Sequence, residues 1–199
     1  MMKRILAMLL CVSMLLAFAA CSKDDKENKP DASTPSAEEK PNSAYSSALD
    51  VMKAVWDNLP EESKFPCYGG NMTEEPVTDA PAQFDLSDKD GLSYMLLIPE
   101  DVQKNVDDAA SLIHLMNANT FTGAVLHLSG AEVSDAASKL ETAILGNQFL
   151  CGFPEKLVLI STGDYLIYAF GAGDLISAFQ SAALDNVTGA TLVKEAAFE

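Results

Sequence analysis

Two histidines, His114 and His127, are the only imidazoles this chain offers for general acid–base or metal chemistry. Both fall in apolar runs that read as strands, Ala110 to Met116 and Phe121 to Ser129. The polar break Asn117-Ala118-Asn119-Thr120 joins them as a hairpin or a short offset link. In a hairpin the two imidazoles can lie across from each other, and a facing pair binds a metal or senses pH. No Cys-His or His-carboxylate spacing on either strand supports that chemistry, so two polar residues on the sheet's wetter face is the preferred reading.

Cys67 and Cys151 are the next candidates. Both flank Pro/Gly-rich segments of a chain that reads as exported. They form either a disulfide or two separate thiols. A bridge would close a loop of about 84 residues and contribute roughly 4 kcal/mol on the chain-entropy argument. Nothing nearby in the sequence lowers a thiol pKa, so a nucleophilic cysteine is disfavoured. Acids crowd the segment 60–91, at Glu61, Glu62, Glu74, Glu75, Asp79, Asp85, Asp88 and Asp90. Setting Gly91 at the glycine of a calcium loop places Asp88 and Asp90 at ligand positions. It also places Leu86 at the first ligand and Leu97 at the bidentate carboxylate, and the template fails. Gly171-Ala172-Gly173-Asp174 lacks the third glycine of a dinucleotide loop and reads as a turn with a helix cap. No cofactor, metal site or catalytic set is expected from these residues.

The charge balance narrows the partners. The chain has 199 residues, 13 basic and 29 acidic, with a net charge of −16 and 48% hydrophobic residues. That size and apolar fraction suit one domain, or one domain with a tail. Arg4 is the single arginine. Removing the first 20 residues takes away Lys3 and Arg4 but no acid, which moves the net charge to −18. Such a polyanion, with no guanidinium, is a poor partner for nucleic acid.

The start of the chain reads as an export signal. Lys3 and Arg4 precede an uncharged run from Ile5 to Ala20, which ends in small residues before Cys21. The run is shorter than the roughly 20 apolar residues of a stable span. Phe18-Ala19-Ala20-Cys21 resembles the lipobox of bacterial lipoproteins, although leucine is commoner at the first position. The resemblance implies acylation of the Cys21 thiol and cleavage just before it. Two or more acyl chains give lasting attachment to a bilayer. Residues 1–20 are therefore expected to be a signal peptide, and 21–43 a lipidated cysteine with a disordered tether. The tether has three prolines and no aromatic or β-branched aliphatic residue. It would reach about 75 Å fully extended and average about 25 Å as a flexible coil.

The rest, 44–199, is expected to be a single α+β domain. Tyr45, Ala48, Leu49, Met52, Val55, Trp56 and Leu59 recur at helical steps, stopped by Pro60, with Trp56 on the core side. Residues 60–91 read as a long irregular connection. Pro99-Glu100-Asp101 opens a helix continued by Val102 and Val106. After the first strand pair, Ala131 to Phe149 is a strongly amphipathic helix. Lys156 to Ser161 and Tyr165 to Phe170 are strands about the Thr162-Gly163-Asp164 turn. A helix follows over 174–184, and 185–199 adds an irregular or strand-like cover. The order predicts a two-layer sandwich: a mainly antiparallel sheet of about four strands with helices packed on one face.

Ile98-Pro99-Glu100-Asp101-Val102, Leu115-Met116-Asn117, and Gly163-Asp164-Tyr165-Leu166-Ile167 after a helix carry a family resemblance. Over 92–183 the chain resembles an uncharacterised domain found in small lipoproteins of Gram-positive, largely anaerobic bacteria. The resemblance implies the layout of signal, lipidated cysteine, tether and one domain, and it supplies no catalytic residue. The expected function is thus a membrane-anchored, extracytoplasmic, non-enzymatic binding or accessory module of the cell envelope. Its partners would be the bilayer, through acylated Cys21, and an envelope protein, peptide or carbohydrate. The rival is an exported hydrolase using carboxylates of 60–91 with His114 or His127. An enzyme would show a closed polar pocket, and a binding module an exposed apolar patch or an aromatic-lined groove. Convergence of Tyr68, Tyr94, Tyr165 and Tyr168 on one surface would favour a carbohydrate or peptide.

Overall fold

The long apolar strands organise the molecule. In the computed structural model, which describes residues 44–73 and 76–198, β4 (Val106–His114) and β5 (Phe121–Leu128) form an antiparallel hairpin. A second hairpin joins β6 (Lys156–Thr162) to β7 (Tyr165–Gly171). Its turn uses Gly163 at φ 55°, a conformation that glycine adopts without a Cβ penalty. β7 also pairs with β5, and β6 pairs with β8 (Thr191–Ala197). The expected leader (1–20) and the whole of the expected lipidated cysteine and tether (21–43) lie outside the described residues.

The expected count of about four strands is too small: among the described residues the sheet has eight. Besides β8, the segment 60–91 supplies β1 (Cys67–Gly69), β2 (Val77–Thr78) and β3 (Ala82–Gln83). The order is β2-β1-β4-β5-β7-β6-β8, with β3 also on β4, and every pairing among the described residues is antiparallel. A Cβ on Gly69 would lie 2.1 Å from the Ala82 nitrogen, so glycine is what lets β1 and β3 approach this closely. The buried Ser111 hydroxyl donates to the Gly70 carbonyl (3.1 Å) and accepts its amide (3.0 Å), tying this added end of the sheet to β4.

Helices cover both faces of the sheet, not one as expected. Along β6, Leu157 and Leu159 enter one apolar cluster, and Val158 and Ile160 the other. Successive strand residues point to opposite faces, so these clusters are two layers of core. On the first face lie α1 (Ala48–Trp56) and α4 (Gly173–Asn186). Trp56, Phe65, Phe121 and Phe179 form an aromatic chain there, with centroid spacings of 5.6, 4.7 and 5.3 Å. On the second lie α2 (Glu100–Gln103), α3 (Val133–Leu145) and a π-helix over Gly91–Met95. Tyr168 is wholly buried in that layer, and its hydroxyl donates to the Leu96 carbonyl at 2.7 Å.

Local chemistry sets the helix ends. The Ser47 hydroxyl accepts the Asp50 amide (3.1 Å), and Asp108 accepts the Ala48 amide (2.7 Å), so two of the unpaired donors that open α1 are satisfied. α4 starts at Gly173, and its first amide is accepted by the Glu155 carboxylate at 2.8 Å. The helix after Pro99 is only four residues long. Val106, expected to continue it, is the first residue of β4.

Candidate binding surface

The facing histidine pair, the less favoured of the two readings, does not form. His127 sits opposite Asp108 and Tyr165, with its Nδ1 2.5 Å from Asp107 Oδ1 and its ring 4.8 Å from Tyr165. His114 lies about 20 Å further along β4, at ~3.3 Å per residue, and its strand partner there is Cys67. Its ring stacks on Phe65 at 5.4 Å, and its Nδ1 accepts the amides of Met116 (3.2 Å) and Asn117 (3.4 Å). Burial holds this imidazole below the ordinary histidine pKa. His114 therefore works as a neutral cap for the turn that follows β4.

Two of the acids of 60–91, Asp85 and Asp88, are engaged in shaping their own segment. Asn71 donates to Asp88 (3.0 Å) and accepts the Asp85 amide (2.6 Å), and Asp88 also accepts the Gly91 amide (2.8 Å). Hydrogen bonds from Ser87 to Asp85, and from Asn71 and Gly91 to Asp88, lower both carboxyl pKa values. Among the described residues no group of three or more His, Cys, Asp or Glu could hold a metal ion.

The Cys67–Cys151 bridge, one of the two expectations for these residues, is absent: both are free thiols. Cys67 is buried in β1, where desolvation, with Asp79 nearby, pushes its pKa up to about 12. Cys151 is exposed in the α3–β6 loop. The four tyrosines do not converge either. Tyr68, Tyr165 and Tyr168 are buried, and Tyr94 alone is open, at 80% exposure.

A different surface stands out. The loop between α3 and β6 presents Leu150 at 89% and Phe153 at 79% exposure, and the β4–β5 turn adds Met116 at 81%. Large side chains so open to water are informative when they gather at one place. Here they do, because Asn117 and Asn119 donate side-chain amides to the Cys151 carbonyl (3.1 and 2.9 Å) and join the two loops. Phe149 anchors the loop from beneath, packing against Phe170 at 5.9 Å and Phe198 at 5.7 Å.

Beside these residues is a cleft of about 970 Å³ lined by Leu145, Phe149, Leu150 and Phe153 with Asn147 and Gln148. A groove of about 350 Å³, lined by Tyr94, Leu97, Pro99 and Glu100, shares Asn147 with it. The backbone at Leu97 is left-handed (φ 56°), a conformation that costs a bulky residue energy, at the exit of the π-helix bearing Tyr94. Neither lining contains Lys or Arg, and the carboxylates are Glu100 and Glu155. Compared with family models, with curated proteins and with solved structures, the chain matches none of them.

The apolar surface is at the opposite end of the sheet from the start of the domain. Tyr45 and Ala48 are held where β4 begins and β5 ends: the Tyr45 hydroxyl accepts the Thr188 amide (2.9 Å), and Ala48 bonds Asp108. Met116, Leu150 and Phe153 lie beyond His114 and Lys156, where β4 ends and β6 begins. Sequence reasoning missed this site. The periodicity carries the predicted helix on to Phe149, whereas the helix ends at Leu145 and Phe149 belongs to the loop. The available signal was the density of large apolar residues in Leu145-Gly146-Asn147-Gln148-Phe149-Leu150-Cys151-Gly152-Phe153-Pro154, a segment with turn composition.

Proposed function

We propose that the protein is a membrane-anchored, extracytoplasmic lipoprotein, whose domain is a non-enzymatic binding or accessory module of the cell envelope. Anchorage rests on the signal-like start, the small residues before Cys21 and the linker composition that follows. The resemblance to the lipoprotein domain family of Gram-positive bacteria supports the same layout. The observation that carries the binding role is the cluster of Met116, Leu150 and Phe153, open to water at the end away from Tyr45. The described chain begins beside Tyr45, at the end of the sheet away from that cluster. Burying such side chains against a partner supplies roughly 25 cal/mol per Å² of apolar area, and none of them is needed for the domain's own core.

The experiment has two parts. Mass spectrometry of the native protein should find acyl chains on Cys21 and nothing upstream of it, and Cys21→Ser should release the chain from membranes. Affinity capture from solubilised membranes should recover a partner that a Leu150→Ser/Phe153→Ser double variant fails to retain. A soluble secreted form beginning elsewhere would overturn the anchorage. Equal recovery by the double variant would overturn the binding surface.

A further inference from the structure

The chemistry around the exposed apolar side chains is specific enough to name the ligand class. Resting on the binding role proposed above, we infer that this surface takes a cationic, amphipathic polypeptide segment of a partner protein. The apolar lining of the cleft combines Leu145 and Leu150 with Phe149, Phe153 and Phe198, of which only Phe153 is an exposed ring, and Met116 stands open on the adjoining turn. Leu and Met adapt their shape to irregular side chains of a polypeptide, whereas a sugar ring asks for flat aromatic faces. The only exposed tyrosine, Tyr94, lies in the neighbouring groove.

Asn147 stands where cleft and groove meet. Its side-chain amide both donates and accepts, which matches a peptide group running from one depression into the other. The charge selects the sign of the ligand. Glu100 lines the groove and Glu155 the cleft, no Lys or Arg lines either, and the whole chain carries 29 acids against 13 basic groups. Lys89 and Lys104 border Glu100 on its other side, but the net acidic charge and the lysine-free cleft disfavour an anionic lipid surface, where inserted apolar side chains are normally accompanied by Lys and Arg. A segment with Lys or Arg flanking apolar residues finds both complements.

The test uses the full chain from residue 21 carrying Cys21→Ser, titrated with synthetic peptides of roughly five helical turns. One peptide places Leu on one face and Lys on the other, a second replaces every Lys by Glu, and a third shuffles the first. The Leu/Lys peptide should bind at least about tenfold tighter than either control, a difference of one decade in Kd. Its resonance shifts should fall on Tyr94, Asn147 and the 150–153 loop. Leu150→Ser/Phe153→Ser should cost about tenfold or more, and Glu100→Lys about threefold, with affinity falling as salt rises. Because all three side chains are outside the core, the variants keep the fold. Binding of all three peptides alike, binding untouched by the double variant, or preference for phosphatidylglycerol vesicles or a chitin oligosaccharide would each overturn the inference. If the Leu/Lys peptide fails while membrane capture still depends on Leu150 and Phe153, the ligand class falls and the binding role stands. If capture is independent of them as well, both fall.

Discussion

The side-chain amide of Asn119 donates to the Cys151 carbonyl at 2.9 Å, and through that bond the β4–β5 turn holds the loop that displays Leu150 and Phe153. Asn119 bonds the Gly152 carbonyl as well (3.1 Å), and Asn117 adds a third link to Cys151. These bonds are open to water, so each contributes modestly to global stability, but together they define the loop's shape. Asn117→Ala/Asn119→Ala is expected to change the melting temperature little. Amide hydrogen exchange over 150–153 should rise about tenfold, since opening this loop no longer breaks those bonds.

A second relationship lies in the core. Tyr168 is fully buried, its pKa is raised by desolvation, and its hydroxyl satisfies the Leu96 carbonyl at 2.7 Å, next to the left-handed Leu97. Tyr168→Phe removes one oxygen and leaves a buried carbonyl without that donor. The expected cost is about 1–3 kcal/mol, the usual penalty for orphaning a buried polar group. Urea unfolding measures it as a lower midpoint with unchanged slope.

How much of this was legible in the sequence depends on the length of each signal. The α3 stripe of Ala136, Ala137, Leu140 and Ile144, and the β6–β7 hairpin about Gly163, were read correctly because periodicity runs over many residues. β1, β2 and β3 have two or three residues each, too few to alternate, and β8 is a charged edge strand with exposed residues on both faces. The second helical layer was readable in principle. Leu157-Val158-Leu159-Ile160 and Tyr165-Leu166-Ile167-Tyr168-Ala169-Phe170 are unbroken apolar runs, whereas a sheet covered on one face alternates apolar with polar. The candidate surface was harder to see, because Leu150 and Phe153 sit in an aperiodic loop whose exposure depends on how Phe149 packs beneath it.

The two free thiols should differ sharply in reactivity. Cys151 is exposed, while Cys67 is buried with its pKa pushed up to about 12, so its reactive thiolate is scarce at neutral pH. Brief treatment of the folded domain with iodoacetamide should add one label, on Cys151, and a second should follow only in denaturant. Mapping by mass spectrometry reads this directly. Protection of both cysteines until a reductant is added would show a bridge in place of two thiols.

His114 makes the last prediction, a pH dependence of stability. Its imidazole is held below the ordinary histidine value of 6.5 by desolvation, and its Nδ1 accepts two backbone amides. The unfolded chain therefore binds this proton more readily than the folded one. With more protons bound in the unfolded state, stability rises with pH. The contribution is complete above the ordinary histidine value and is lost as the pH falls below it. Protonated Nδ1 becomes a donor and can no longer cap Met116 and Asn117, so acid should loosen the turn that carries Met116. His114→Phe keeps the stacking on Phe65 and removes the titration. Unfolding midpoints measured from pH 8 to 5 should slope less steeply in this variant than in the parent. Asp85, Asp88, Asp101 and Glu195, whose carboxyl pKa values are lowered, lose their contribution only at more acidic pH. A parent and variant with the same slope over that range would mean that His114 does not carry the effect.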